Sequence, residues 1–217
     1  MRARAIAIGV VSASVCLAVS LGALGCRRET PAARASARAT LLAALRATRA
    51  RKARTEGMVR GTTPDGRTFE SIVQTEVVPP DRHRSRMRLP GGVSREVVVI
   101  GARAWGRPDD RAAWQPVAAA ARSVAPRIEA RLVRGIEGGL LRVERTGEAT
   151  LGGRATTEYA LEGALPGESA GTTEARVWVR ADGLVHRCEA ETQSAATIRL
   201  EETWDYDDSL SIEAPAP

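Results

Sequence analysis

The chain is poor in the residue types from which catalytic and metal centres are usually built. It has two histidines, His83 and His186, and three cysteines, Cys16, Cys26 and Cys188. No histidine pair stands at helical spacing and no Cys-x-x-Cys occurs, which argues against a zinc site. The Gly-x-Ser-x-Gly, phosphate-loop and dinucleotide-binding fingerprints are missing too. His186 and Cys188, two apart on a strand, are expected to share a face as a thiol–imidazole dyad or, more plainly, as two neighbours on a sheet. Asp205, Asp207 and Asp208 lack the glycine and closing glutamate of a calcium loop and read as a solvated strand end. The expectation is therefore no enzyme, no metal and no cofactor.

Positive charge is concentrated at the front. Residues 27–60 hold ten Lys/Arg against two acids, whereas residues 61–217 hold 20 against 24. The front segment has no Phe, Tyr or Trp on which a base could stack, so a nucleic-acid partner is not expected. A basic stretch beside an apolar one is instead attracted to anionic lipid headgroups, at about 1 kcal/mol per cation near the surface.

That apolar stretch runs from Ala5 to Leu24 behind Arg2 and Arg4, the layout of a signal peptide. An uncleaved anchor helix is the alternative, since ~20 residues suffice to span a bilayer, but the stretch is diluted by Ala, Ser and Gly. Ala23-Leu24-Gly25-Cys26 resembles the bacterial lipobox, in which the cysteine becomes the acylated first residue. On this reading Cys16 is removed, Cys26 is lipidated and Cys188 is left alone, so no internal disulfide can form. The expected organisation is a lipoprotein signal peptide at 1–25, a lipidated N-terminus and tether at 26–35, and one domain at 36–217.

Apolar spacing predicts a first helix from about Ser36 to Arg51, N-capped by Ser36, with Leu41, Leu42 and Leu45 on one side. Period-two alternation follows. It places Phe69, Val73 and Val77 opposite Glu70, Gln74 and Glu76, then Arg82, Arg84, Arg86 and Arg88 opposite His83, Ser85, Met87 and Leu89. The arginine row reads as the outward face of a sheet, or as a contact for lipid phosphates. A second helical region spans about Val117 to Gly138, broken by Pro126, with Ile128, Leu132 and Ile136 in one stripe. Strands resume over 140–163, with turn signals at Gly147 and Gly152-Gly153. A hairpin covers 174–191 around Ala181-Asp182-Gly183, and a strand covers 196–208. Antiparallel strands interrupted by two helical segments imply an α+β domain, one curved sheet with helices packed on its inner side.

The second half resembles the LolA/LppX/LprG-like bacterial envelope lipoproteins and lipoprotein carriers. The matching positions are Gly147, Gly153 and Tyr159, then Val177, Trp178, Val179, Gly183, Leu184 and Arg187, then Tyr206, Ile212 and Pro215. The resemblance implies a strongly curved antiparallel sheet, an unclosed half-barrel with helices on the concave side, and an apolar cleft that accepts acyl chains. The inward alternates that would line it are Phe69, Val73, Val97, Val99, Tyr159, Val177, Val179, Leu200 and Trp204, beneath Leu132 and Ile136. These same residues would equally form a filled core. Two functions follow. One is an envelope lipoprotein anchored through Cys26 that holds an acyl-bearing lipid, glycolipid or lipoprotein for local transfer or sensing. The other is a non-catalytic envelope module with a filled interior and a protein partner on its outer face. Either would sit on the outer side of the cytoplasmic membrane or in the outer membrane.

Overall fold

The computed structural model describes residues 30–117, 128–166 and 171–216. The expected signal peptide, the lipobox-like stretch and Cys26 lie outside the described residues, as do positions 118–127 of the second helical region. Among the described residues no helix is long and apolar enough to cross a membrane.

Helix α1 (Pro31–Arg49) starts five residues before the expected position and takes in half of the expected tether. Pro31, expected within the tether, is the first residue of the helix. Proline at the first helical position loses no hydrogen bond, and the Thr30 hydroxyl accepts the Ala33 N–H at 3.2 Å. Ala37, Leu41, Ala44, Leu45 and Thr48 form the buried stripe.

Eleven strands form one antiparallel sheet: β1 (Ala53–Thr62), β2 (Thr68–Val78), β3 (Arg82–Arg88), β4 (Ser94–Ile100), β5 (Arg103–Arg107), β6 (Gln115–Pro116), β7 (Leu141–Leu151), β8 (Arg154–Gly163), β9 (Thr172–Arg180), β10 (Val185–Gln193) and β11 (Thr197–Tyr206). Their order is β6-β5-β4-β3-β2-β1-β11-β10-β9-β8-β7, so the first and last strands pair through β1 and β11 and the sheet stays open between β6 and β7. Helix α2 (Ile128–Glu137) precedes β7. With α1 it covers the inner face of the β7–β11 half. There Leu41, Leu45, Leu132 and Ile136 meet Val143, Tyr159, Val177, Val179, Val185 and Trp204 in one continuous core. Side chains of this size contribute about 1.5–3 kcal/mol each when fully buried. Val97, Val99 and Ala104 form a smaller cluster with Val117 on the other half. The curved, unclosed α+β half-barrel with helices inside is the fold the sequence led us to expect.

Two local readings change. Gly147 is within β7, where pairing with β8 jumps between Arg145 and Gly147, so the glycine follows a bulge at Thr146 and makes no turn. A second bulge lies in β10, where pairing with β9 jumps between Val185 and Arg187. It breaks the alternation at His186, and this bears on the site described next.

Candidate functional site: an apolar cleft on the concave face

On β1 and β2 the inner alternates are small. Thr55, Gly57 and Val59 on β1 face Thr75, Val73 and Ser71 on β2, and Ser85 on β3 follows beside Thr75. The Thr75 and Ser85 hydroxyls are hydrogen-bonded to each other at 3.1 Å, so these buried polar groups need no water. Small residues here, against Leu, Tyr and Trp on the other half, leave a trough of about 360 Å³, within the range of roughly 300–1,000 Å³ usual for small-molecule sites. Val59, Phe69, Val73, Val77, Met87, Ile198 and Leu200 supply its apolar wall, and Ile128 and Leu165 lie along it from α2 and from the segment after β8.

The trough has a direction. Along β2, Ser71, Val73, Thr75 and Val77 are buried, while Phe69 is half-buried and Ile198, beside it, is 41% exposed. The mouth is therefore at the Phe69 end. The Phe69 ring lies across Gly61, where a Cβ would come within 2.5 Å of it, so the glycine makes room for the aromatic at the rim. Arg131 of α2 and Glu202 of β11 are the charged residues of the lining. Behind them, burial pushes the Cys188 thiol well above its ordinary value, and Glu202, Glu129 and Glu189 add to the effect. A buried, protonated thiol is a poor nucleophile.

The bulge at His186 puts it and Cys188, expected to share a face, on opposite faces. Cys188 pairs with Val177 on the inner face, whereas His186 lines a groove on the outer face with Arg84, Arg154 and Asp205. Burial lowers the His186 pKa, and Arg154, Arg180 and Arg187 lower it further, so the ring is neutral at pH 7. The acidic cluster is ion-paired: Asp207 with Arg54 at 2.9 Å and Asp208 with Arg51 at 2.9 Å. Among the described residues no group of three His, Cys, Asp or Glu is arranged to hold a metal. The outer face carries two larger grooves, of about 590 and 780 Å³, but both are lined largely by charged side chains. The concave cleft is smaller and apolar, which makes it the candidate for a hydrophobic ligand.

Of the eleven lining residues expected, Phe69, Val73 and Leu200 border the cleft. Leu132, Ile136, Tyr159, Val177, Val179 and Trp204 lie in the continuous core, and Val97 and Val99 in the smaller cluster. The sequence reading passed over Gly57, Ser71 and Thr75. The signal was present in their phase, since Ser71 and Thr75 alternate with Val73, and small side chains on an inward phase mark space as surely as large ones mark core.

No protein-family model and no curated protein matches the sequence. Solved structures do. LprF from Mycobacterium bovis superposes with a TM-score of 0.56 at 13% identity, over 84% of this chain and 98% of that one. The chain shares the fold of LprF. Lipoprotein LppX from Mycobacterium tuberculosis matches at a TM-score of 0.48 and 16% identity, over 82% of this chain and 99% of that one.

Proposed function

We propose that the protein is a bacterial envelope lipoprotein, anchored through an acylated Cys26, that holds an acyl-chain-bearing ligand in the concave cleft for local transfer or sensing. The observation that carries this reading is the cleft itself, apolar along its walls, open at the Phe69 end and bordered by small side chains beneath. The sequence resemblance to LolA/LppX/LprG-like envelope lipoproteins supports the ligand class, and the lipobox-like Ala23-Leu24-Gly25-Cys26 supports the anchor. The volume bounds the ligand. At about 360 Å³ the trough stands at the small end of ligand sites, which run from roughly 300 to 1,000 Å³, and suits part of one acyl chain. Each methylene moved out of water contributes about 0.8 kcal/mol.

Native mass spectrometry with solvent extraction of the purified mature chain tests the ligand. An acyl-bearing species at close to one equivalent is expected, and an empty protein would overturn the reading. The anchor is tested separately by metabolic labelling with an alkyne fatty acid. Label is expected in the wild-type chain and none in Cys26→Ser, and equal labelling of the two would refute acylation at this cysteine.

A further inference from the structure

We propose that the end of the half-barrel at which the cleft opens is a membrane-docking rim for an anionic lipid surface. The docking is read from the surface alone; only its purpose, to align the cleft mouth with lipid, rests on the acyl-binding reading.

Strand register defines the rim. One row of paired residues crosses the sheet from Leu141 on β7, through Thr192 on β10 and Ile198 on β11, to Phe69 on β2. The β3–β4 turn closes at the same end, with the Leu89 N–H donating to the Val93 carbonyl at 2.7 Å. The large apolar residues exposed among the described residues are Val93 at 56%, Leu140 at 48% and Ile198 at 41%. Isolated exposed apolar side chains are ordinary on any protein. Here all three stand at one end, Val93 in the β3–β4 turn, Leu140 just before β7 and Ile198 in the cleft mouth, while at the opposite end Leu184 and Val185 are buried.

Charge points the same way. Val93 stands between Arg88 and Arg95, both exposed, and among the described residues neither is in an ion pair. Arg84 and Arg107, by contrast, are committed to Glu96. An apolar tip flanked by uncompensated cations suits the interface of an anionic bilayer, where apolar burial and headgroup attraction add. The chain direction agrees. The last turn of α1 is tied to Val185 at the far end through Thr48, whereas Arg38, ten residues earlier, donates to the Ile136 carbonyl at 2.7 Å, shortly before Leu140. Helix α1 therefore starts on the rim side, and the segment preceding it joins there.

Residues 27–217 contain every described element and lack Cys26, so they report docking without the anchor. Co-sedimentation with vesicles of phosphatidylglycerol and phosphatidylcholine is expected to retain this chain, and vesicles of phosphatidylcholine alone to retain it at least tenfold less. The pair Val93→Asp and Ile198→Asp, and separately the pair Arg88→Glu and Arg95→Glu, should each weaken retention at least tenfold. Arg103→Glu, at the opposite end, should leave it unchanged, with melting curves confirming that all variants fold. Failure of the wild-type chain to bind anionic vesicles, or rim variants that bind as the wild type does, would overturn the rim; so would an equal effect of Arg103→Glu. Lipid content measured on the same preparations keeps the two readings apart. A lipid-loaded chain that does not dock overturns only the rim, and a docking chain without lipid overturns only the cleft.

Discussion

Glu96 projects from the outer face of β4, yet it is 3% exposed because arginines close over it. Arg84 Nε donates to it at 2.6 Å and Arg107 Nε at 2.7 Å, and Arg107 in turn lies over the Trp114 ring at 4.6 Å. Burial opposes the charge, but the hydrogen bonds from Arg107 and Arg84 outweigh it and hold the carboxyl below its ordinary value. The unfolded chain therefore takes up this proton first as the pH falls. The stabilisation is present above the unfolded value of about 4.3 and declines toward the lower folded one. Glu96→Gln is expected to cost about 2–3 kcal/mol at pH 7 in urea titrations and to flatten the acid limb of the stability profile. In the cleft, Val59 is half-buried with room before it. Val59→Trp should fill that room and sharply reduce co-purifying lipid while leaving the melting temperature within a few degrees.

At the scale of the element, α1 is fastened to the sheet by a polar knot. The Thr48 hydroxyl accepts the Val185 N–H at 3.0 Å, and the Tyr206 hydroxyl donates to the Val185 carbonyl at 2.6 Å. The two hydroxyls lie 3.1 Å apart. The knot satisfies both backbone groups of Val185, the residue just before the β10 bulge. Burial pushes the Tyr206 phenol up to about 12, against the opposing effects of Thr48 and Arg180. Between its ordinary value near 10 and about 12 the unfolded chain loses this proton while the fold keeps it. Stability should consequently fall as the pH rises through that window, by up to about 1.4 kcal/mol per unit from this group, and Tyr206→Phe should lessen the slope, leaving the share of the buried Cys188 thiol and Tyr159 phenol. The elements themselves were legible because their apolar period is regular: β2, β3 and the β9–β10 hairpin stand where alternation put them. The two bulges and the start of α1 were not. A bulge is set by what the partner strand requires, and Pro31 has opposite meanings depending on whether Thr30 caps a helix.

The whole molecule is asymmetric about the β1–β11 pair, with one half filled by helices and the other hollowed. Leu132 is fully buried in the filled half, and Leu132→Ala should cost about 2–5 kcal/mol. Val73 borders existing space, so Val73→Ala should cost less, about 1 kcal/mol, a contrast that urea titration of the pair would measure. This asymmetry explains why the fold could be read from the sequence and the site only in part. Large inward residues such as Tyr159, Val177 and Trp204 announce an interior, but which of them meet a helix depends on where α1 and α2 lie. That placement rests on packing between residues distant in sequence, such as Leu41 and Leu45 of α1 with Leu132 and Ile136 of α2 in the one core. The early start of α1 also sets a length. Three residues separate Cys26 from the cap at Thr30, and the four steps between the two, at no more than ~3.6 Å each, reach at most about 14 Å. Were Cys26 acylated as proposed, the helix would be on a leash shorter than half a bilayer's thickness, and the protein would work as a fixture of one leaflet, serving only what diffuses past it.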